Sequence, residues 1–318
     1  MQGFLADGIK EWLNDNIAVF DHIFATVNLN RTADTGTYQW LFPTETGYAF
    51  ISNANNPDDS MLGILCMTEG RKSDDLIYEL AHNAVPPSSG AGFLIAENRL
   101  IEKMILPTLP HAFNGLSATD FKVSKDGKGI ELIAVDKAFT ITNDGKTYSA
   151  NLEALTISIN SKQLMLHAET KTAITAGIFS HSVSDHTYEI SLYTKSDGTQ
   201  SLNYKEVGKP IVVNSTSQDE GVTIGEIIGG IIAGIVLAIL IVLTDGLILI
   251  AVVIIGGLLT GLISSVSEII QVVGTDDAPD ISLLVMNCTD PIQWTDQKDF
   301  TLNVACLNGP LQLGGFFK

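Results

Sequence analysis

Basic residues are scarce in this chain. Its 318 residues hold 18 Lys and Arg against 36 Asp and Glu, a net charge of -18. Such a balance excludes non-specific nucleic-acid binding, which needs a basic face to displace counterions. Charge of either sign is thin at 17%, while hydrophobic residues reach 45%. That excludes disorder, because disordered chains are polar as well as charged. Cysteines number three, Cys66, Cys288 and Cys306. They are too few and too scattered for a disulfide framework or a zinc site, and their apolar neighbours mark them as buried thiols. Catalytic signatures are missing too. There is no GxSxG elbow and no HExxH. Gly145-Lys146-Thr147 ends like a P-loop, but Thr140 stands where its first Gly is required. His181, Asp185 and His186 have a metal-ligand spacing only on a helix, and they read as solvated loop. The chain therefore reads as a non-enzyme with no catalytic residue, no metal and no cofactor. At the N-terminus, Asp7 and Glu11 fall where a signal peptide needs its apolar region. The expected location is the bacterial cytoplasm, or release by a non-classical route to act outside the cell.

What the chain does have is pattern. Leu5, Ile9, Trp12, Leu13, Ile17, Phe20 and Phe24 form one helical stripe, which predicts an amphipathic helix packed on a core. Short strands are expected at Tyr38–Phe42, Tyr48–Ile51 and Met61–Met67, then a helix near Asp74–His82. Another helix is expected over Asn98–Leu106, stopped by Pro107. From 120 to 213 the chain reads as an antiparallel meander. Asp126-Gly127, Asp144-Gly145 and Asp197-Gly198 are its hairpin turns. Leu155, Ile157 and Ile159, then Tyr188, Ile190 and Leu192, alternate with polar residues, giving strands with one buried face. Strands return at Ser282–Met286 and Phe300–Leu307.

One stretch stands apart. Between Ile227 and Ser267 the only charge is Asp245, 28 residues are Ala, Val, Ile or Leu, seven are Gly and none is aromatic. Length and lack of alternation predict a helical hairpin over 224–270, turning at Thr244-Asp245-Gly246. Its flanks lack the Lys, Arg and aromatic residues that anchor membrane helices, so a constitutive span is not expected. Burial against the meander is. The expected fold class is α+β, with a curled antiparallel sheet around long apolar helices. The expected division is 1–115, an α/β subdomain, and 116–318, the meander with its apolar hairpin.

Several segments resemble one family. Arg99–Gly115 (RLIEKMILPTLPHAFNG) with the following FKVSKDG, Phe24–Thr44, Leu62–Arg71, Gly90–Leu100 and Leu307–Gly315 look like the clostridial forty-seven-kilodalton accessory protein and its OrfX relatives. The match runs in order through nearly the whole chain. The resemblance implies a TULIP-like (tubular lipid-binding) fold, with a curled sheet, long helices and an apolar groove. It implies genes beside botulinum neurotoxin, phosphoinositide binding, and a role assisting a toxin or in insecticidal activity. It supplies no catalytic residue. Members of the family usually carry a further N-terminal region ahead of the helix that opens this chain.

The expected function is thus a lipid-binding toxin accessory or toxin component. Its partners would be a lipid or another long apolar ligand, and other proteins of the same gene cluster. The groove is expected at Ile227, Ile231, Ile235, Ile239, Leu249 and Val253 of the hairpin, facing Ile157, Ile159, Ile190 and Leu192 of the strands. Lys103, Lys122, Lys125 and Lys128 form the one modest basic cluster for a headgroup. The alternative is a triggered membrane-inserting or pore-forming protein that uses the hairpin. A third reading is an interaction protein whose hairpin only fills the core.

Overall fold

Two-residue alternation and Asp-Gly turns shape most of this chain, as a computed structural model shows. The structure describes residues 2–16, 25–28, 38–53, 55–143, 146–175, 177–220, 234–244, 247–255, 281–294 and 299–318. Helix α1 (Gln2–Asp15) forms where the stripe predicts it. Within that stripe, Ile9, Trp12 and Leu13 are exposed. Periodicity says which face is apolar, not what covers it. Ile17, Phe20 and Phe24 lie outside the described residues.

After β1 (Ala25–Val27), β2 (Pro43–Ile51) and β3 (Met61–Thr68) form a two-stranded antiparallel sheet. The helix expected near Asp74–His82 is absent; the chain there is turn and irregular backbone. A side chain at Gly47 would strike the Tyr78 ring, and one at Gly63 would strike Leu80. These two bare positions admit the segment onto the hairpin, and tertiary contact overrides local helix propensity. Beyond β4 (Ala91–Ile95) the chain turns helical from 97 to 112. This run comprises α2 (Glu97–Arg99), a π turn (Leu100–Ile105), a 3-10 turn (Leu106–Thr108) and α3 (Leu109–Ala112). Pro107 does not stop it. Pro107 and Pro110 each occupy a first-turn position of a new turn, where the missing N–H costs nothing.

The main sheet follows. Its strands are β5 (Phe121–Val123), β6 (Gly129–Leu132), β7 (Lys137–Asn143), β8 (Lys146–Asn160), β9 (Gln163–Thr175), β10 (Ile178–Thr194), β11 (Gln200–Glu206) and β12 (Ile211–Gln218). All pair antiparallel in the order β11-β10-β9-β8-β6-β5. The first half of β10 takes β12 where its second half takes β11, and β7 shares β8 with β6 in the same way. The sheet is not closed. Gly127 and Gly198 supply the positive φ (73° and 87°) that their Asp-Gly turns need. Asn143 pairs with Lys146 across the third such dipeptide, which is outside the described residues.

The apolar stretch corrects the expected helical hairpin. Its described part is β13 (Gly234–Thr244) and β14 (Leu247–Ile255), an antiparallel pair with Thr244 opposite Leu247. Eleven of these twenty residues are Ile or Val, whose β-branching favours a pleated strand over a helix. A continuous apolar run carries no period that separates the two. The rest of 224–270 lies outside the described residues. No helix among the described residues is long and apolar enough to cross a membrane.

Near the C-terminus the strand expected at Ser282–Met286 is instead α4 (Ser282–Thr289). Strand β15 (Ile292–Trp294) pairs with β1. The last two strands, β16 (Phe300–Leu307) and β17 (Leu311–Phe317), join β4 in a three-stranded sheet. The core gathers between the main sheet, the 97–112 run, α4 and this small sheet. Leu100, Ile101, Met104, Phe113, Ile157, Leu284 and Leu313 are among its fully buried members.

Candidate ligand site on the inward face of the main sheet

Along β10 the burial alternates strictly. Ile178, Ser180, Ser182, Ser184, His186, Tyr188 and Ile190 are buried, and the residues between them are more exposed. Pairing sets their neighbours. On β9, Thr172, Thr170, Ala168, Leu166 and Leu164 lie opposite Ser180, Ser182, Ser184, His186 and Tyr188. On β8, Ile157 and Ile159 lie opposite Leu166 and Leu164. The inward face therefore has two ends. One is aliphatic, built from Leu155, Ile157, Ile159, Leu164, Leu166 and Ile190. The other is a floor of hydroxyls, with Thr170, Thr172, Ser180, Ser182 and Ser184 all at 2–3% exposure.

His186 sits at the boundary. Its side chain is fully buried, and its Nδ1 donates to Glu206 Oε1 at 2.6 Å. Glu206 lies on β11 opposite Tyr188, and the Tyr188 ring stacks on the imidazole with 6.0 Å between centroids. The carboxylate at Nδ1 orients the ring; Nε2 accepts in the neutral imidazole and donates in the imidazolium. Nε2 of His186, Ser182 Oγ, Thr172 Oγ1 and Tyr204 OH are buried without a hydrogen-bond partner among the described residues. Each such group costs about 1–3 kcal/mol in desolvation. Burial, with Tyr38 close by, raises the Tyr204 phenol above its ordinary range, so it stays a neutral hydroxyl.

The apolar hairpin lies on this side of the sheet. β13 runs against β9, β10 and β11, while β14 runs against α3 and the turns 100–108. In sequence, the only hydrogen-bonding side chain in the hairpin's two strands is that of Thr244. An apolar cover thus faces a sheet that is aliphatic at one end and hydroxylated at the other.

The expected groove residues divide accordingly. Ile157, Ile159 and Ile190 are buried on the inward face, and Leu192 packs partly buried against the same core. Ile235 pairs with Ile254, Val253 with Val236 and Leu249 with Val242; Ile239 falls in the irregular stretch of that ladder. Ile227 and Ile231 lie outside the described residues. The lysines do not make an open cationic patch. Lys103 donates to Glu69 at 2.6 Å, Lys122 pairs with Glu131 at 2.9 Å and Lys128 with Glu97 at 3.1 Å. Lys125 is exposed. Sequence reasoning missed the hydroxyl floor. The signal was present: the alternation read at Tyr188–Leu192, continued back by twos, reaches His186, Ser184, Ser182 and Ser180.

The metal-like spacing resolves into a strand, not a loop, with its members on two faces. His181 and Asp185 point outward and His186 inward. His181 bonds Ser217 Oγ at 2.7 Å, and Asp185 bonds His167 Nδ1 at 2.7 Å. For His167, burial opposes the charged form, but hydrogen bonds to Asp185 and then Glu169 outweigh it and raise the pKa above 6.5. A raised folded-state pKa contributes stability at low pH that is lost as pH rises through the folded value. NMR titration is expected to put His167 above 6.5, and His167→Gln should remove that part of the pH dependence. The thiols are not poised for chemistry. Burial pushes Cys66 up to about 11 and Cys288 up to about 12, so both stay protonated at neutral pH.

Solved structures share this architecture. P47 from Clostridium botulinum A2 superposes with a TM-score of 0.58 at 16% identity, covering 98% of this chain and 66% of that one. P47 of Clostridium botulinum E1 gives 0.52 at 17% identity, covering 98% and 67%. The fold is therefore that of the P47 proteins, built mostly from antiparallel sheet. Sequence carries the assignment further. Residues 1–315 match the family model described as "OrfX-like: Protein OrfX2/OrfX3/P47", and the chain belongs to that family. Protein OrfX3 of Paraclostridium bifermentans is 32% identical over 322 residues, and Protein OrfX3 of Clostridium botulinum (strain Kyoto / Type A2) is 32% identical over 333. These alignments take in 98% and 96% of this chain, which spans 66% and 65% of the length of the two relatives.

Proposed function

We propose that this chain binds a lipid within its fold and serves as an accessory to, or a component of, a bacterial toxin. The observation that carries the lipid reading is the inward face of the main sheet. It offers aliphatic wall, apolar cover and a few unpartnered polar atoms, the usual make-up of a site for a largely apolar ligand. Family membership, together with the toxin-cluster setting that the resemblance implies, supports the toxin role. A TULIP-like mode follows, with acyl chains between sheet and hairpin. The phosphoinositide form of this reading would use Lys103, Lys122, Lys125 and Lys128. Three of these already hold glutamates, so the reading rests on the apolar body of the ligand. The test is organic extraction of detergent-free protein followed by mass spectrometry. Bound lipid is the expected result. No recovered lipid, together with no uptake of a fluorescent fatty-acyl probe, would overturn it.

A second reading has its own observation. β13 has 11 residues and β14 has 9, and a membrane strand needs about 9–11. A lone hairpin would leave open edges in lipid, so insertion requires several copies closing a barrel. Dye release from liposomes as pH falls would favour this reading, and intact liposomes at every pH would dismiss it.

A further inference from the structure

One margin of the main sheet is a strand with an open side. Strand β12 pairs with β10 and with no other strand among the described residues. Just past its end, the Asp219 amide donates to the Gly177 carbonyl at 2.8 Å and continues that ladder. Antiparallel geometry fixes the rest by alternation. The backbone groups of Ile211, Val213, Ser215 and Ser217 face β10. Those of Val212, Asn214 and Thr216 face the open edge, where no strand or turn bonds to them among the described residues.

Open edges invite pairing, and proteins usually guard them with Lys, Pro or a bulge. From 211 to 218 the sequence is IVVNSTSQ, with no charge and no proline. Its ladder with β10 runs without a bulge. On the outward face, Ile211 and Val213 are 60% and 57% exposed. Charge appears only at the ends of the strand. Lys209 is exposed just before it, and Asp219 and Glu220 are exposed just after it. None of the three joins an ion pair among the described residues. Opposite charges at its two ends make the strand complementary to itself in reverse.

We infer that β12 pairs antiparallel with β12 of a second copy of this chain, joining two main sheets into one across a twofold axis. The inference is independent of the lipid reading. Placing Lys209 opposite Asp219 of the second copy puts Asn214 on the axis. Val212 then lies opposite Thr216 of the second copy, so edge-facing groups meet edge-facing groups, as hydrogen-bonded pairs require. A register slipped by one residue would set them against groups already turned toward β10. Opposed positions are about 4.5–5.5 Å apart, which brings each Lys209 within reach of the facing Asp219. The two Val213 side chains become diagonal neighbours on the outward face and cover surface that one copy leaves exposed. A strand from another protein would have to reproduce this reversed order of charge, which a second copy supplies by symmetry.

Sedimentation velocity on the intact protein from about 1 μM to about 1 mM spans the affinities of small interfaces. A monomer–dimer equilibrium is expected. Asn214→Pro deletes an amide that points out of the single copy, so it should keep the parent's circular dichroism and weaken the dimer at least about tenfold. Lys209→Glu acts outside the strand. It sets like charges together at both ends of the interface and should weaken the dimer by about tenfold, less in high salt. Adding Asp219→Lys to Lys209→Glu should return the parent affinity. A monomer at every concentration overturns the inference. So does a dimer that both single variants leave unchanged, or a charge-exchanged double variant as weak as Lys209→Glu alone.

Discussion

Phe113→Ala is expected to lower the unfolding free energy by about 3–5 kcal/mol, the usual range for deleting a buried aromatic. Phe113 is fully buried directly after α3. Its ring meets Phe139 edge-on, with centroids 5.3 Å apart, and Phe121 lies at 6.0 Å. It therefore ties the 97–112 run to β7 and β5, two strands of the main sheet. The truncation would leave a void at that junction, and the run it anchors is the one β14 lies against. Chemical denaturation measures the loss. A change under about 1 kcal/mol would mean that the ring sits at a surface site.

Ile157→Asp is the second large effect. Ile157 is fully buried opposite Leu166 in the aliphatic end of the inward face. A carboxylate there would be a buried ion without a cation, costing several kcal/mol. Domains of this size are stable by about 5–15 kcal/mol in all, so the variant should be unfolded or poorly populated at about 37 °C. Ile157→Val at the same position should cost only about 0.5–1.5 kcal/mol. The contrast separates charge from volume. Similar stability for the two variants would place Ile157 at a hydrated surface instead.

Much of the main sheet was legible because its signals are local. Asp-Gly dipeptides mark the hairpins, and Leu155–Ile159 and Tyr188–Leu192 show their faces by alternation. The wet and buried sides follow from that period alone. What could not be read depended on contacts distant in sequence. Propensity arguments fail at Asp74–His82 because Tyr78 and Leu80 settle over Gly47 and Gly63 of another element. The apolar stretch offers no polar residue to reveal a period, so strand and helix look alike there until a partner is chosen. Pro107 and Pro110 resemble stops and serve as starts, since each opens a fresh turn. At the candidate site the aliphatic half was legible by hydrophobicity. The floor from Ser180 to His186 was legible only by carrying the Tyr188–Leu192 alternation back by twos, because residue type alone does not separate buried serines from exposed ones. For the lysine cluster, sequence proximity did not show the glutamates at 69, 97 and 131 that hold three of its four members.

Everything proposed for the ligand depends on its apolar body lying between the inward face of the main sheet and the hairpin of β13 and β14. Amide hydrogen exchange with and without the fluorescent fatty-acyl probe tests that placement. Bound ligand should slow exchange in 180–190 and 234–255 together, with little change in β2, β3 or α1. Protection confined to other elements, or none at saturating ligand, would contradict it.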